Sequence, residues 1–185
     1  PESIHHSVCT LGQDTTMVPD FRTAGIEIFP CDGSFRFDPR ALYRLYRYLR
    51  QEDFDVVHAH LAYAQAFTRL LAPLARTGPV LSTYHDAPQT YCRDWHMRLG
   101  EQVTRPLEDV AVGVSASVTE GFSETFYFDR FSKMRVIDNG IDVEGLRERL
   151  TTADGQSVRA DLGLGADDLL YLNVGRLAPK KRQRD

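Results

Sequence analysis

The sequence is poor in cysteine, in charge of one sign and in long apolar runs, and each shortage narrows the reading. Of 185 residues only three are cysteines, Cys9, Cys31 and Cys92. Their odd number and the lack of a C-x-x-C pair exclude a disulfide scaffold and a zinc knuckle. Reduced thiols of a cytosolic protein are the simplest reading. No apolar run approaches the roughly 20 residues that a membrane-crossing helix needs. The opening Pro1-Glu2-Ser3 is no signal peptide, and with no initiator Met it leads us to expect more chain upstream. A net charge of -4 gives no reason to expect a nucleic-acid partner. Internal repeats and low-complexity tracts are absent. What remains is 42% hydrophobic and 26% charged, an ordinary globular composition. The length suits one domain with a good core, or one domain plus part of a neighbour.

Strand-like and helix-like segments alternate with short connections. Ser3–Leu11 leans towards strand and Ile26–Phe29 is a short apolar run. Asp38 is a plausible N-cap with Pro39 at the first helical position, and Leu42, Leu45, Tyr46 and Leu49 follow at helical spacing. Phe54–His60 reads as a buried strand, and Ala62–Arg76 as a helix stopped by Thr77-Gly78-Pro79. Val80–Tyr84 is the next strand. A polar aromatic loop, Pro88–Trp95, leads into a helix that runs through Leu107. Val110–Val114 is the clearest buried strand, followed by a helix that Ser115 or Ser117 can cap. Met134–Ile137 is a further strand, turning at Asp138-Asn139-Gly140. Residues 141–165 are helical and polar, and Leu169–Val174 reads as one more strand. Continuous apolar strands between helices predict a doubly wound parallel α/β sheet covered on both faces.

In such sheets ligands bind beyond the carboxyl ends of the strands, and that is where the chemically interesting residues fall. His58 and His60 lie on the same side of an extended segment. They are structural histidines, or parts of a zinc site that His85 and Asp86 would have to complete. His85 ends its strand, where a neutral imidazole can donate to a ligand oxygen or accept from a hydroxyl. Asp86 fixes its tautomer or caps the turn. Ser115 either caps a helix or leaves that helix's free N–H groups to an anion, and no G-x-S-x-G elbow makes it a hydrolase nucleophile. Asn139-Gly140 is a turn signal. Gly175 lets backbone approach a ligand, and Arg176 and Lys181 beyond it suit a diphosphate, one as a fork and one as a point charge. A solvated basic tail is the plain alternative, since five of the last ten residues are Lys or Arg.

The stretches FDVVHAH, STYHD, VGVSASVTEGF, VIDNGID and YLNVGRLAPKK stand in the order and approximate spacing of the retaining glycosyltransferases of family 4. The resemblance spans about residues 50–185. It implies the GT-B architecture of two Rossmann-like domains facing a cleft. Residues 1–139 would be the N-terminal, acceptor-side domain lacking its first strand, 140–165 a linker, and 166–185 the truncated start of the nucleotide-sugar domain with its first strand. On this resemblance His85 sits near the transferred sugar, Gly175, Arg176 and Lys181 grip the donor diphosphate, and Asn139 and Gly140 mark the hinge. His58, His60 and Ser115 are further cleft candidates.

The implied chemistry is hexosyl transfer from a nucleotide-diphosphate sugar with retention of configuration, needing no metal and no cofactor beyond the co-substrate. The acceptor is a sugar, lipid or small molecule. The Gly-rich loop that the family carries after its first strand and its downstream paired glutamates are not in this sequence. Asp138 stands where the family often has Pro, and Arg182 where Gly commonly follows the Lys. The 185 residues are therefore expected to be a fragment inactive alone, with an unpartnered last strand open to self-association. A cytoplasmic location is expected, at the inner membrane surface if the acceptor is a lipid. The helix from Pro39, with Arg40, Arg44, Arg47, Arg50 and nearby Arg36, is then the surface to meet it. The rival readings are an epimerase or phosphorylase of the same architecture, and a non-catalytic α/β module binding a sugar, nucleotide or protein.

Overall fold

The cap expected at Asp38 is formed. Its carboxylate accepts from the backbone N–H of Arg40 at 2.9 Å and of Ser34 at 3.1 Å, and Pro39 opens the helix. The structure, a computed structural model, describes residues 4–13, 16–92, 94–126, 134–152, 155–165, 167–175 and 177. The chain divides into two compact units, Pro1–Asn139 and Gly140–Asp185.

The first unit alternates strand with helix, doubling the helix between β4 and β5: β1 (Ser7–Thr10), α1 (Val18–Thr23), β2 (Glu27–Pro30), α2 (Pro39–Gln51), β3 (Val57–His60), α3 (Ala62–Ala75), β4 (Val80–Tyr84), α4 (Pro88–Tyr91), α5 (Trp95–Thr104), β5 (Val110–Gly113), α6 (Ala116–Thr125) and β6 (Met134–Val136). Every pairing is parallel. β1 pairs with β2, and β3-β4-β5-β6 form a second sheet in sequence order. This is the α/β, Rossmann-like class read from the sequence. Val80 and Ser82–Tyr84 of β4 and Ala111–Gly113 of β5 are buried, as strands covered on both faces must be.

Two helices were not expected. The stretch read as a polar loop from Pro88 contains α4, and Val18-Pro19-Asp20 opens α1, with Pro at its start and an acid in its first turn. Both are too short to show a helical period.

Amphipathic packing builds the core. α2 buries Ala41, Leu45, Tyr48 and Leu49, and Ala41, Leu45 and Leu49 join Cys31, Phe67, Ala72 and Val80 in one cluster. Arg40, Arg44, Arg47 and Arg50 are left on the exposed face. A second cluster gathers Tyr84, Tyr91, Ala111, Val118, Phe122 and Phe126 between β4, β5 and α6. The cysteines distant in sequence are neighbours in space, Cys9 Sγ lying 3.5 Å from Cys31 Sγ. Among the described residues β1 and β3 each pair on one side only. A groove of about 610 Å3 is lined by both strands, with Ser7 to Cys9 from one and Val57 to His60 from the other.

In the second unit α7 (Val143–Thr152) and α8 (Gly155–Asp161) follow one another. Arg159 donates to the carbonyls of Gly165 and Asp168, at 2.5 and 2.7 Å, and holds the turn between them. Leu169–Val174, expected as a strand, forms no ladder among the described residues, and Leu169, Tyr171, Leu172 and Val174 are exposed. The cause is physical: a strand exists through its neighbour's hydrogen bonds, and no described segment pairs with this one.

Candidate functional site

β3 and β4 run side by side in parallel, with His60 opposite Thr83, so both deliver side chains to the same carboxyl-end rim. Period-two alternation puts His58 and His60 on one side of β3, with ring centroids 4.2 Å apart. Nε2 of His58 meets the Thr83 hydroxyl at 2.7 Å. Nδ1 of His60 meets Nε2 of His85 at 3.0 Å. All three histidines keep exposed surface. Burial, and secondarily the charge of His85, lowers the pKa of His58. Burial, then His58 and His85, lowers that of His60. Both rings are thus held in the neutral form, able to accept as well as donate.

Directly after His60 the backbone is strained. Leu61 has φ 68° and ψ 145°, a region that essentially only glycine occupies at no cost; for other residues it costs on the order of 1–3 kcal/mol and recurs at functional sites. Leu61 is also the N-cap of α3, so the strained residue aims the first turn of that helix at the rim.

Beneath the histidines lies a buried polar network that sequence reading did not find. Gln65 donates to the Thr83 carbonyl at 2.7 Å, tying α3 to the end of β4. Its own carbonyl accepts from Arg69 at 3.2 Å and from the Tyr91 hydroxyl. Arg69 pairs with Glu101 at 2.9 Å and Glu108 at 3.0 Å, all fully enclosed, and donates to the Tyr84 hydroxyl at 2.6 Å. Burial works against the charge on Arg69, but Tyr84, Glu101 and Glu108 outweigh it and hold the guanidinium above its usual range. Burial raises the Glu108 carboxyl, with Arg69 opposing. The only advance signal was a single charged residue, Arg69, in a largely apolar, Ala-rich helix.

The other sequence candidates are less concentrated. Ser115 is an N-cap, its Oγ accepting from the N–H of Val118 at 3.3 Å. Asn139 and Gly140 are exposed, at the junction of the two units. Gly175 is an exposed bend, and Arg176 and Lys181 lie outside the described residues. Arg36 stands 4.2 Å above the Tyr63 ring, so part of its charge is engaged by an aromatic face. Asp53-Phe54-Asp55 has Asp-x-Asp spacing but precedes β3, which places it at the amino ends of the strands, away from the histidines. Among the described residues no three His, Cys, Asp or Glu side chains converge as metal ligands would; the facing nitrogens of His60 and His85 engage each other.

Residues 3–144 match the sequence model of the family described as Glycosyltransferase Family 4. Over 151 residues the chain is 28% identical to the UDP-Gal:alpha-D-GlcNAc-diphosphoundecaprenol alpha-1,3-galactosyltransferase of Escherichia coli, a match covering 78% of the chain. It spans 38% of that relative's length.

Proposed function

The chain belongs to glycosyltransferase family 4, and on that premise we propose that it is the acceptor-side part of an enzyme moving a hexose from a nucleotide-diphosphate sugar to an acceptor, with retention of configuration. The observation that carries the reading is the pair His60–His85, 3.0 Å apart at the carboxyl ends of adjacent parallel strands beside the strained Leu61. A neutral imidazole there offers a donor or an acceptor to a sugar hydroxyl. His85 is the group that touches the transferred sugar. As the glycosidic bond breaks, negative charge gathers on the leaving diphosphate, where fixed cations stabilise it most. Gly175, Arg176 and Lys181 are proposed for that role, with Asn139 and Gly140 as the hinge. The residues needed are binding and charge-stabilising groups, and the reaction as proposed uses no metal.

The relative's acceptor, by its name, is a sugar on a diphosphate-linked lipid, and a lipid-linked sugar is proposed as acceptor here as well. Work at a membrane surface, on its cytoplasmic side, is proposed with it, and one observation agrees with contact there: α2 exposes Arg40, Arg44 and Arg47 around a hollow of about 700 Å3. Because the relative is much the longer protein, turnover is proposed to need more chain than these 185 residues.

A panel of nucleotide sugars, UDP-galactose among them, offered to the whole protein with a lipid-diphosphate GlcNAc acceptor tests this. Product whose anomeric configuration matches the donor's supports the reading. Inverted product, or binding without transfer for every donor, sinks it.

A further inference from the structure

We propose that His60 is the positioning residue of His85: by engaging Nε2 of that ring it fixes the ring's orientation, couples its tautomer to that of His60 and leaves Nδ1 as the nitrogen offered to a ligand. The inference rests on the reading of His85 given above. A hydrogen bond between two imidazoles needs one N–H and one lone pair. At 3.0 Å between His60 Nδ1 and His85 Nε2, Nε2 is therefore occupied whichever ring donates.

His60 can fix another ring because it is fixed itself. The His58 ring lies 4.2 Å away, tilted by 38°, and is in turn tethered to Thr83 at 2.7 Å. Thr83 is also the residue whose carbonyl Gln65 holds at 2.7 Å from α3, and Gln65 is fully buried. The order Thr83, His58, His60, His85 thus runs from the enclosed floor of the sheet to its exposed rim, crossing between β4 and β3 twice. A freely turning imidazole at the end of a strand would divide its time among rotamers and two tautomers. One held at Nε2 presents a single nitrogen, and orientation of a reacting group is worth large factors in rate.

The arrangement also sets a proton limit. Two imidazolium rings carry only N–H groups towards each other, so the bond exists only while at least one of the pair is neutral. The titratable groups around it are His58 on the same strand, Asp86 next to His85, and His6, which lines the same groove as His58 and His60.

The test is NMR of the chain labelled in its histidine ring nitrogens, read together with turnover of the whole protein on whichever donor the panel identifies. In the wild type the ring nitrogens of His85 are expected to report a hydrogen-bonded Nε2 near neutral pH. His60→Phe should leave them the signature of a free histidine. His60→Asn, whose amide stands where Nδ1 stood and can donate or accept, should restore the hydrogen-bonded signature. In turnover, His60→Phe should lower kcat about tenfold or more at little change in KM, with His60→Asn recovering most of it. A His85 signature identical in wild type and His60→Phe overturns the proposal. So does a kcat indifferent to His60→Phe, or equal loss in the Phe and Asn variants. Full activity in His85→Ala is a different result: it removes the catalytic reading of His85, while the labelled spectra still decide whether His60 engages its Nε2.

Discussion

Arg69 and Glu101 form a 2.9 Å ion pair with 0% and 2% of their side chains exposed. Glu108 completes a second pair with the same guanidinium at 3.0 Å, and the Tyr84 hydroxyl donates to Glu101 at 2.6 Å. Charges taken this far from water persist only when paired and hydrogen-bonded on all sides. Through Gln65 the same cluster supports the strand end that carries His85.

Arg69→Met should destabilise the protein by about 3–5 kcal/mol, because it leaves Glu101 buried without its counter-charge and Glu108 with only Arg105, 3.6 Å away. Urea unfolding followed by circular dichroism measures this. The double change Arg69→Met, Glu101→Gln, which keeps Glu108 for the buried Arg105, should recover part of the loss, whereas a charge-independent packing defect would not recover.

Stability should also fall as the solution is acidified from neutrality. His58 and His60 have pKa values below the ordinary imidazole range when folded, so the unfolded chain binds more protons as pH drops through about 6.5. The loss begins there and levels off below the folded values. Thermal melts across that range check it, and replacing both histidines by Gln should flatten the slope. A slope unchanged by the double substitution would assign it to other groups.

What the sequence could and could not reveal follows from the range of the forces involved. Val80–Tyr84 and the helix opened by Asp38 and Pro39 were readable because apolar runs and caps are local signals. Leu169–Val174 looks as much like a strand as Val110–Gly113 does, but only the latter has neighbours to pair with among the described residues. Of the site, the three histidines were readable one by one at strand ends. The bond between His60 and His85 joins residues 25 apart, and the pair Arg69–Glu101 joins residues 32 apart. No periodicity encodes either. The strain at Leu61 was equally hidden, since nothing in its side chain marks a left-handed backbone.

That strain gives a third prediction. Leu61→Gly should raise stability by about 1 kcal/mol, as relief of the unfavourable φ outweighs the extra freedom glycine gives the unfolded chain. Turnover should fall, because the link between His60 and α3 loosens. A stability loss in this variant, or a gain in kcat, would contradict the role given to the turn.

The outer face of α2 gives a fourth. Arg44 is tied to Asp32 at 2.8 Å, which leaves Arg40 and Arg47 as the better probes of membrane contact. Vesicles containing phosphatidylglycerol should bind the protein at low salt, and Arg40→Glu with Arg47→Glu should weaken binding at least about tenfold. Equal binding by both proteins would place any membrane contact elsewhere.

The central claim is that His85 touches the sugar being transferred. The most direct measurement is the kcat of the whole protein carrying His85→Ala, on its identified donor and acceptor, with folding checked by circular dichroism. A loss of about a hundredfold or more in kcat is expected, with the donor KM changed by only a few-fold. A folded His85→Ala enzyme that turns over at the wild-type rate would contradict it.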